Sequence, residues 1–172
     1  MIKLTHLMGG IISEGTSSHI GIIEPSGRIG STYVHYDGYP QNMKGAIKHH
    51  FKNAKDVKDF IKKGGASGLY KGKDPEYYGK QGFFASGKSN DLEKYMRSVD
   101  QRGGGAEYVY LFNMKDKKWY VYDYYGGNKE LKKLYFKLME WDDYIEWHAL
   151  TQSSEKTKVI RDFVVGVFYQ EN

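Results

Sequence analysis

Two runs of β-forming residues joined by a tight turn constrain this chain more than any other feature. His19 to Glu24 reads as a strand, Pro25-Ser26-Gly27 as a turn, and Ile29 to Tyr36 as the returning strand. Strands linked by so short a turn pair antiparallel, so a hairpin is expected. Asp37-Gly38-Tyr39-Pro40 ends it, because Gly and Pro together break regular structure. A second hairpin is expected from Glu107 to Phe112 and Trp119 to Tyr125. Between and after the hairpins the apolar period changes to that of a helix. Met43, Ala46, Ile47 and Phe51 share one face, and Val57, Phe60 and Ile61 share another behind the N-cap Asn53. Leu92, Tyr95, Met96 and Val99 follow a capping-box-like Asn90-Asp91-Leu92-Glu93 and stop at Gly103-Gly104-Gly105. Asn128 caps a further helix carrying Leu131, Leu134, Tyr135, Leu138 and Met139. Ile160, Phe163, Val164, Val167 and Phe168 give a C-terminal helix, with a strand from Phe163 to Tyr169 as the competing reading. Gly64 to Gly87 has no strong period and reads as loop with at most a short strand. The expected class is α+β: antiparallel β-hairpins with interspersed and C-terminal helices, in one domain over residues 1–172.

The 172 residues suffice for such a domain to bury about 70% of its unfolded surface without a metal or disulfide staple. There is no cysteine, which excludes disulfides and thiolate metal sites. No run of about 18 apolar residues exists to span a membrane, and Met1 to Ile12 makes a poor signal peptide. A cytoplasmic protein without cofactor or metal is expected. The net charge of +5 favours anionic partners. It is concentrated: from Lys44 to Lys80 ten Lys face Asp56, Asp59, Asp74 and Glu76, a local excess of +6. Lys44, Lys48, Lys52 and Lys55 form one stripe, which could contact phosphates or simply face water. The sixteen Tyr could stack on bases or pair across strands.

Three short segments could carry chemistry. Gly82-Phe83-Phe84-Ala85-Ser86-Gly87-Lys88-Ser89 satisfies G-x-x-x-x-G-K-[ST], with Gly82, Gly87, Lys88 and Ser89 in the phosphate-cradling positions. That loop works behind a buried parallel strand, and Tyr77-Tyr78-Gly79-Lys80-Gln81 is too polar and Gly-broken for one. Tyr33, His35 and Asp37 alternate along a strand and share a face, while Tyr36 points the other way. A His beside a carboxylate can act as a base, or both can be structural groups at a strand end. Arg97 and Arg102, before Gly103-Gly104-Gly105, could fork onto phosphate or merely suit a helix C-terminus. The six His show no paired metal-ligand spacing.

Ser18-His19-Ile20-Gly21-Ile22, Tyr33-x-His35-x-Asp37-Gly38-Tyr39-Pro40, Arg97 to Gly103, and Tyr108 to Phe112 with Trp119-Tyr120-Val121 occur in the order seen in a family of small uncharacterised bacteriophage proteins. Over residues 17–123 the chain resembles that family. Tyr36 stands where the family usually has Trp, and Asp100-Gln101-Arg102 replaces a tighter Arg-Asp-Arg. The family has no established activity, so the resemblance implies origin: a phage-encoded accessory or anti-defence protein in a bacterial host. Joined to the residues, this yields the leading expectation of a non-catalytic binder that sequesters a nucleotide-type immune signal. Tyr33, Tyr36, Tyr39 and Trp119 would stack the base, His35 and Asp37 would shape the site, and Arg97 and Arg102 would hold phosphates. The rival readings are a protein–protein inhibitor of a host enzyme, a phosphate-loop NTPase, and a nucleic-acid-binding module. A homo-oligomer stays open.

Overall fold

Strand β1 (Ser18–Ile23) and strand β2 (Arg28–Tyr36) form the expected hairpin, in register from Ser18 opposite Val34 to Ile23 opposite Ile29. Gly27, at φ 89°, makes the turn. A computed structural model describes residues 16–123 and 139–140 of the chain. Asp37-Gly38-Tyr39-Pro40 is the joint between strand and helix. Asp37 takes the left-handed conformation at φ 54°, Tyr39 is the N-cap, and Pro40 opens α1 (Pro40–His50) with a ring preset for that position. Asn53 caps α2 (Ala54–Lys62) by accepting from the Asp56 N–H at 3.0 Å. Asn53→Ala is therefore expected to lower stability by about 1 kcal/mol, measured by urea denaturation.

After α2 the chain turns through Gly64 and Gly65 into β3 (Ala66–Gly68), then a 3-10 turn (Gly79–Gln81), β4 (Phe84–Lys88) and α3 (Leu92–Gln101). Asp91 caps α3, accepting from the Lys94 N–H. The second hairpin is β5 (Tyr108–Asn113) with β6 (Lys118–Asp123), and β7 (Met139–Glu140) pairs with β6. Met139, expected on a helix, is thus on a strand. The remaining residues of that helix and of the C-terminal helix lie outside the described residues.

The strands form one sheet in the order β3-β2-β1-β5-β6-β7, with β4 sharing the outer edge of β2. The two hairpins join through a parallel pair, β1 with β5, and β3 also lies parallel to β2. The fold is α+β with a mixed sheet. The parallel pairs arise because the helical connections return the chain across a face of the sheet rather than reversing it at an edge. α1 and α2 cover one face, burying Ile20, Ile22, Val34, Met43, Ile47, Val57, Phe60 and Tyr110. α3 covers the other, burying Ile23, Ile29, Tyr95, Met96, Val99, Val109 and Leu111. Such burial stabilises by roughly 1.5–3 kcal/mol per large apolar side chain.

Candidate functional site

Strand alternation puts Ile29, Ser31, Tyr33 and His35 on the α3 face of β2. At the C-terminal end of that strand Tyr33 and His35 meet, phenol oxygen to Nδ1, at 2.8 Å. The next residues of this cluster arrive from elsewhere. Parallel pairing of β1 with β5 brings Ser17 beside Glu107, and the buried Glu107 carboxylate accepts from both the Ser17 N–H and its hydroxyl. The Ser17 hydroxyl also reaches the Tyr33 phenol. A carboxylate only accepts, so the Ser17 N–H and hydroxyl both donate to Glu107. Burial raises the Tyr33 phenol above its ordinary value, an effect opposed by Ser17 and reinforced by the Glu107 charge. The phenol stays protonated and able to donate at neutral pH.

Phe83 completes the group. It immediately precedes β4, its ring is 50% exposed, and it stands edge-on to Tyr33 with centroids 5.6 Å apart. The turn after α3 lies against both rings: a Cβ on Gly104 would sit 3.2 Å from Phe83 and 3.4 Å from Tyr33. The N–H groups of Arg102, Gly103 and Gly105 are bonded to Ser98 and Val99 carbonyls, closing the helix. Among the described residues the Gly104 N–H has no backbone acceptor and Arg102 has no carboxylate partner. An exposed aromatic ring and the glycine turn after α3 therefore adjoin Tyr33, with Arg102 two residues before Gly104 in that turn.

Below this surface His19 is fully buried. Its Nε2 lies 2.7 Å from the Gly103 carbonyl and its Nδ1 2.7 Å from the Ser31 hydroxyl, which lies 2.5 Å from the Tyr95 phenol. A carbonyl cannot donate, so Nε2 carries the proton and Nδ1 accepts through Ser31 from Tyr95. Burial pushes the His19 pKa down to about 4 and the Tyr95 pKa up. This closed network fixes the Gly103 turn onto the sheet. The polar groups behind it are consumed by one another, so its role is to position the turn.

The other sequence-derived candidates fall elsewhere. Tyr36 is 41% exposed on the opposite face of β2, although its ring edges His35 with centroids 4.3 Å apart. The Asp37 carboxylate accepts from the Tyr70 phenol at 2.5 Å, and Asn42 donates to the Asp37 carbonyl at 2.8 Å. Burial and that carboxylate together raise the Tyr70 pKa. Tyr39 caps α1. Arg97 is on the outer face of α3, 3.0 Å from Glu93. Trp119 packs between Phe51 and Phe112 on the α1–α2 face, across the sheet from Tyr33. So His35, Phe83 and Gly104 gather around the largely buried Tyr33, and Arg102 lies two residues before Gly104, whereas Trp119 and Arg97 do not contribute to this cluster. Of the lysine stripe, Lys52 bonds the Lys48 carbonyl and Lys55 pairs with Asp59, as expected of a solvated face.

Gly82 to Ser89 is not a phosphate-cradling loop. Phe84–Lys88 is strand β4, antiparallel to β2 with Thr32 opposite Phe84 and Arg28 opposite Lys88. Its glycines are explained by packing. A Cβ on Gly82 would overlap the Gly64 carbonyl, and one on Gly87 would lie 2.6 Å from the Cβ of Tyr95. An extended strand turns alternate N–H groups to opposite sides and cannot converge them on a phosphate. Among the described residues no cluster of His and carboxylates has the makings of a metal site, and no helix is long and apolar enough to cross a membrane.

Ser17, Phe83 and Glu107 were not singled out in the sequence as site residues, nor was His19 as a buried hydrogen-bonding group; Gly104 was, within the turn beside Arg102. Phe83 stood in a variable position of the loop-like run. Ser17 and Glu107 are 90 positions apart and meet only through the β1–β5 register. In comparisons with family models, curated proteins and solved structures, the chain matches none.

Proposed function

We propose that this protein binds and holds a nucleotide-type anion at the surface formed by Tyr33, His35, Phe83 and the Arg102–Gly105 turn. The observation that carries this reading is the half-exposed Phe83 ring set beside Tyr33 and the Gly104 turn, in which Arg102 lies two residues before Gly104. A base stacks on the ring, while the amide and the guanidinium take phosphate oxygens. Taken with the resemblance to phage proteins, the role would be to sequester a nucleotide immune signal of the host without turning it over. Isothermal calorimetry against ADP-ribose and cyclic dinucleotides tests this. One of them should bind, and Phe83→Ala should weaken it about tenfold, the lower range of one stacked base. The ligand should be recovered unchanged. No binding by any of them, or equal binding by Phe83→Ala, sinks the reading.

A second reading rests on the large exposed aromatics Tyr36, Tyr77, Phe83 and Phe84. Such rings serve as anchors in protein interfaces, so inhibition of a host enzyme by contact is the alternative. Capture of one host protein by the full chain, lost on Tyr77→Ala but unaffected by Arg102→Ala, would favour it.

A further inference from the structure

At the opposite end of β2 the sheet carries a cavity of about 360 Å³, within the size range of small-molecule sites. It lies where the β1–β2 turn, the β4–α3 junction and the β5–β6 turn meet. We propose that this cavity binds a phosphate-bearing small anion through Lys88 and Lys115. Both line it, and among the described residues neither is engaged by a carboxylate. Neutral donors surround them: the Ser89 hydroxyl and the side-chain amides of Asn90 and Asn113. Asn113 Oδ1 accepts the Lys115 N–H at 2.9 Å, which leaves its NH₂ group to donate. The one lining carboxylate, Glu24, stands 4.0 Å from both Arg28 and Lys58 and is countered by them. The walls are tied together, since the Ser89 N–H donates to the Gly27 carbonyl at 2.7 Å and the Asp91 N–H to the Lys88 carbonyl at 3.0 Å.

Two ammonium groups on flexible stems, in a cavity also lined by Ser89, Asn90 and Asn113, suit the spread charge of phosphate oxygens. Lys88 and Ser89 thus meet phosphate through side chains at a strand end rather than through a backbone cradle. The cavity is separate from the aromatic surface: Arg28 and His35 are seven strand residues apart, roughly 23 Å at about 3.3 Å per residue.

Calorimetry of the full chain with inorganic pyrophosphate at physiological ionic strength tests the site, with a nucleoside diphosphate and a sugar phosphate as further arms. Saturable pyrophosphate binding is expected. It should weaken about tenfold in Lys88→Ala and in Lys115→Ala, survive in Lys88→Arg, and be unchanged in Arg102→Ala. Tighter binding of one organic arm would identify what the phosphate is carried on. Absence of saturable binding, equal affinity in the Lys88→Ala/Lys115→Ala pair, or loss on Arg102→Ala instead would overturn it. Both lysines are exposed, so an unchanged melting temperature should confirm that the variants are folded.

Discussion

Alanine at Gly82 should destabilise the protein by about 3 kcal/mol, whereas alanine at Lys88 should change stability by less than about 0.5 kcal/mol. The two residues sit in the same eight-residue run, and a phosphate loop would predict a different outcome. There Lys88 would matter for nucleotide turnover and Gly82 for the shape of an exposed loop. In the fold, Gly82 lies where three backbone segments touch. Its Cα faces the Gly64 carbonyl, and Gly64 in turn faces the Gly79 carbonyl. Both Gly64 and Gly79 have positive φ, at 82° and 62°. The Gly79 N–H donates to the Lys63 carbonyl at 2.9 Å and the Gly82 N–H to the Gly79 carbonyl at 3.2 Å. A methyl group at Gly82 meets rigid backbone and not the end of a flexible side chain, so the strand leading into β4 must move. Phe83 would move with it, and with Phe83 the exposed ring of the candidate site. Chemical denaturation of the two variants measures the difference. A stable Gly82→Ala protein would show that this contact is not as tight as described.

Acidification from pH 7.5 to pH 5 should remove about 2 kcal/mol of stability through His19 alone. Burial holds the native pKa at about 4, against an ordinary value of about 6.5 in the unfolded chain. Between these values the unfolded state binds a proton that the native state refuses, so stability rises with pH across this window. The contribution is fully present above pH 6.5, is lost progressively as pH falls, and is exhausted near pH 4. Each pKa unit corresponds to about 1.4 kcal/mol. His19→Gln should be less stable at neutral pH, because it breaks the link from Ser31 to the Gly103 carbonyl. Its stability should nonetheless vary with pH by about 2 kcal/mol less than that of the parent chain over the same interval. An undiminished slope in His19→Gln would mean that another group carries the dependence.

How much of this was legible in the sequence depends on how local each feature is. Both hairpins, the Asn53 cap and the stop at Gly103 are set by residues within a few positions of one another and appear as read, while the capping-box-like Asn90 to Glu93 start shifts by one residue, to Asp91 as the cap. Strand β4 was not legible. Phe-Ala-Ser-Gly-Lys has weak strand character, and its conformation comes from pairing with β2. The parallel contact of β1 with β5 is likewise non-local, and with it the meeting of Ser17 and Glu107. The same applies to the site. That Tyr33 and His35 share a face follows from the two-residue period of a strand. That Trp119 lies on the other face follows only from the order of strands in the sheet. Asp37 was read with His35 because both are polar and two apart. The chain leaves the strand at Asp37 with φ 54°, and the carboxylate goes to Tyr70 instead.

The central claim is that a nucleotide-type anion sits on Phe83 and the turn after α3. Backbone and aromatic NMR shifts during titration with the nucleotide selected by calorimetry test it most directly. Changes concentrated at Tyr33, His35, Phe83 and Arg102 to Gly105 are expected, with Trp119 and Arg97 unmoved. Changes centred on Trp119, or none at Phe83 and Gly104 on saturation, would contradict it.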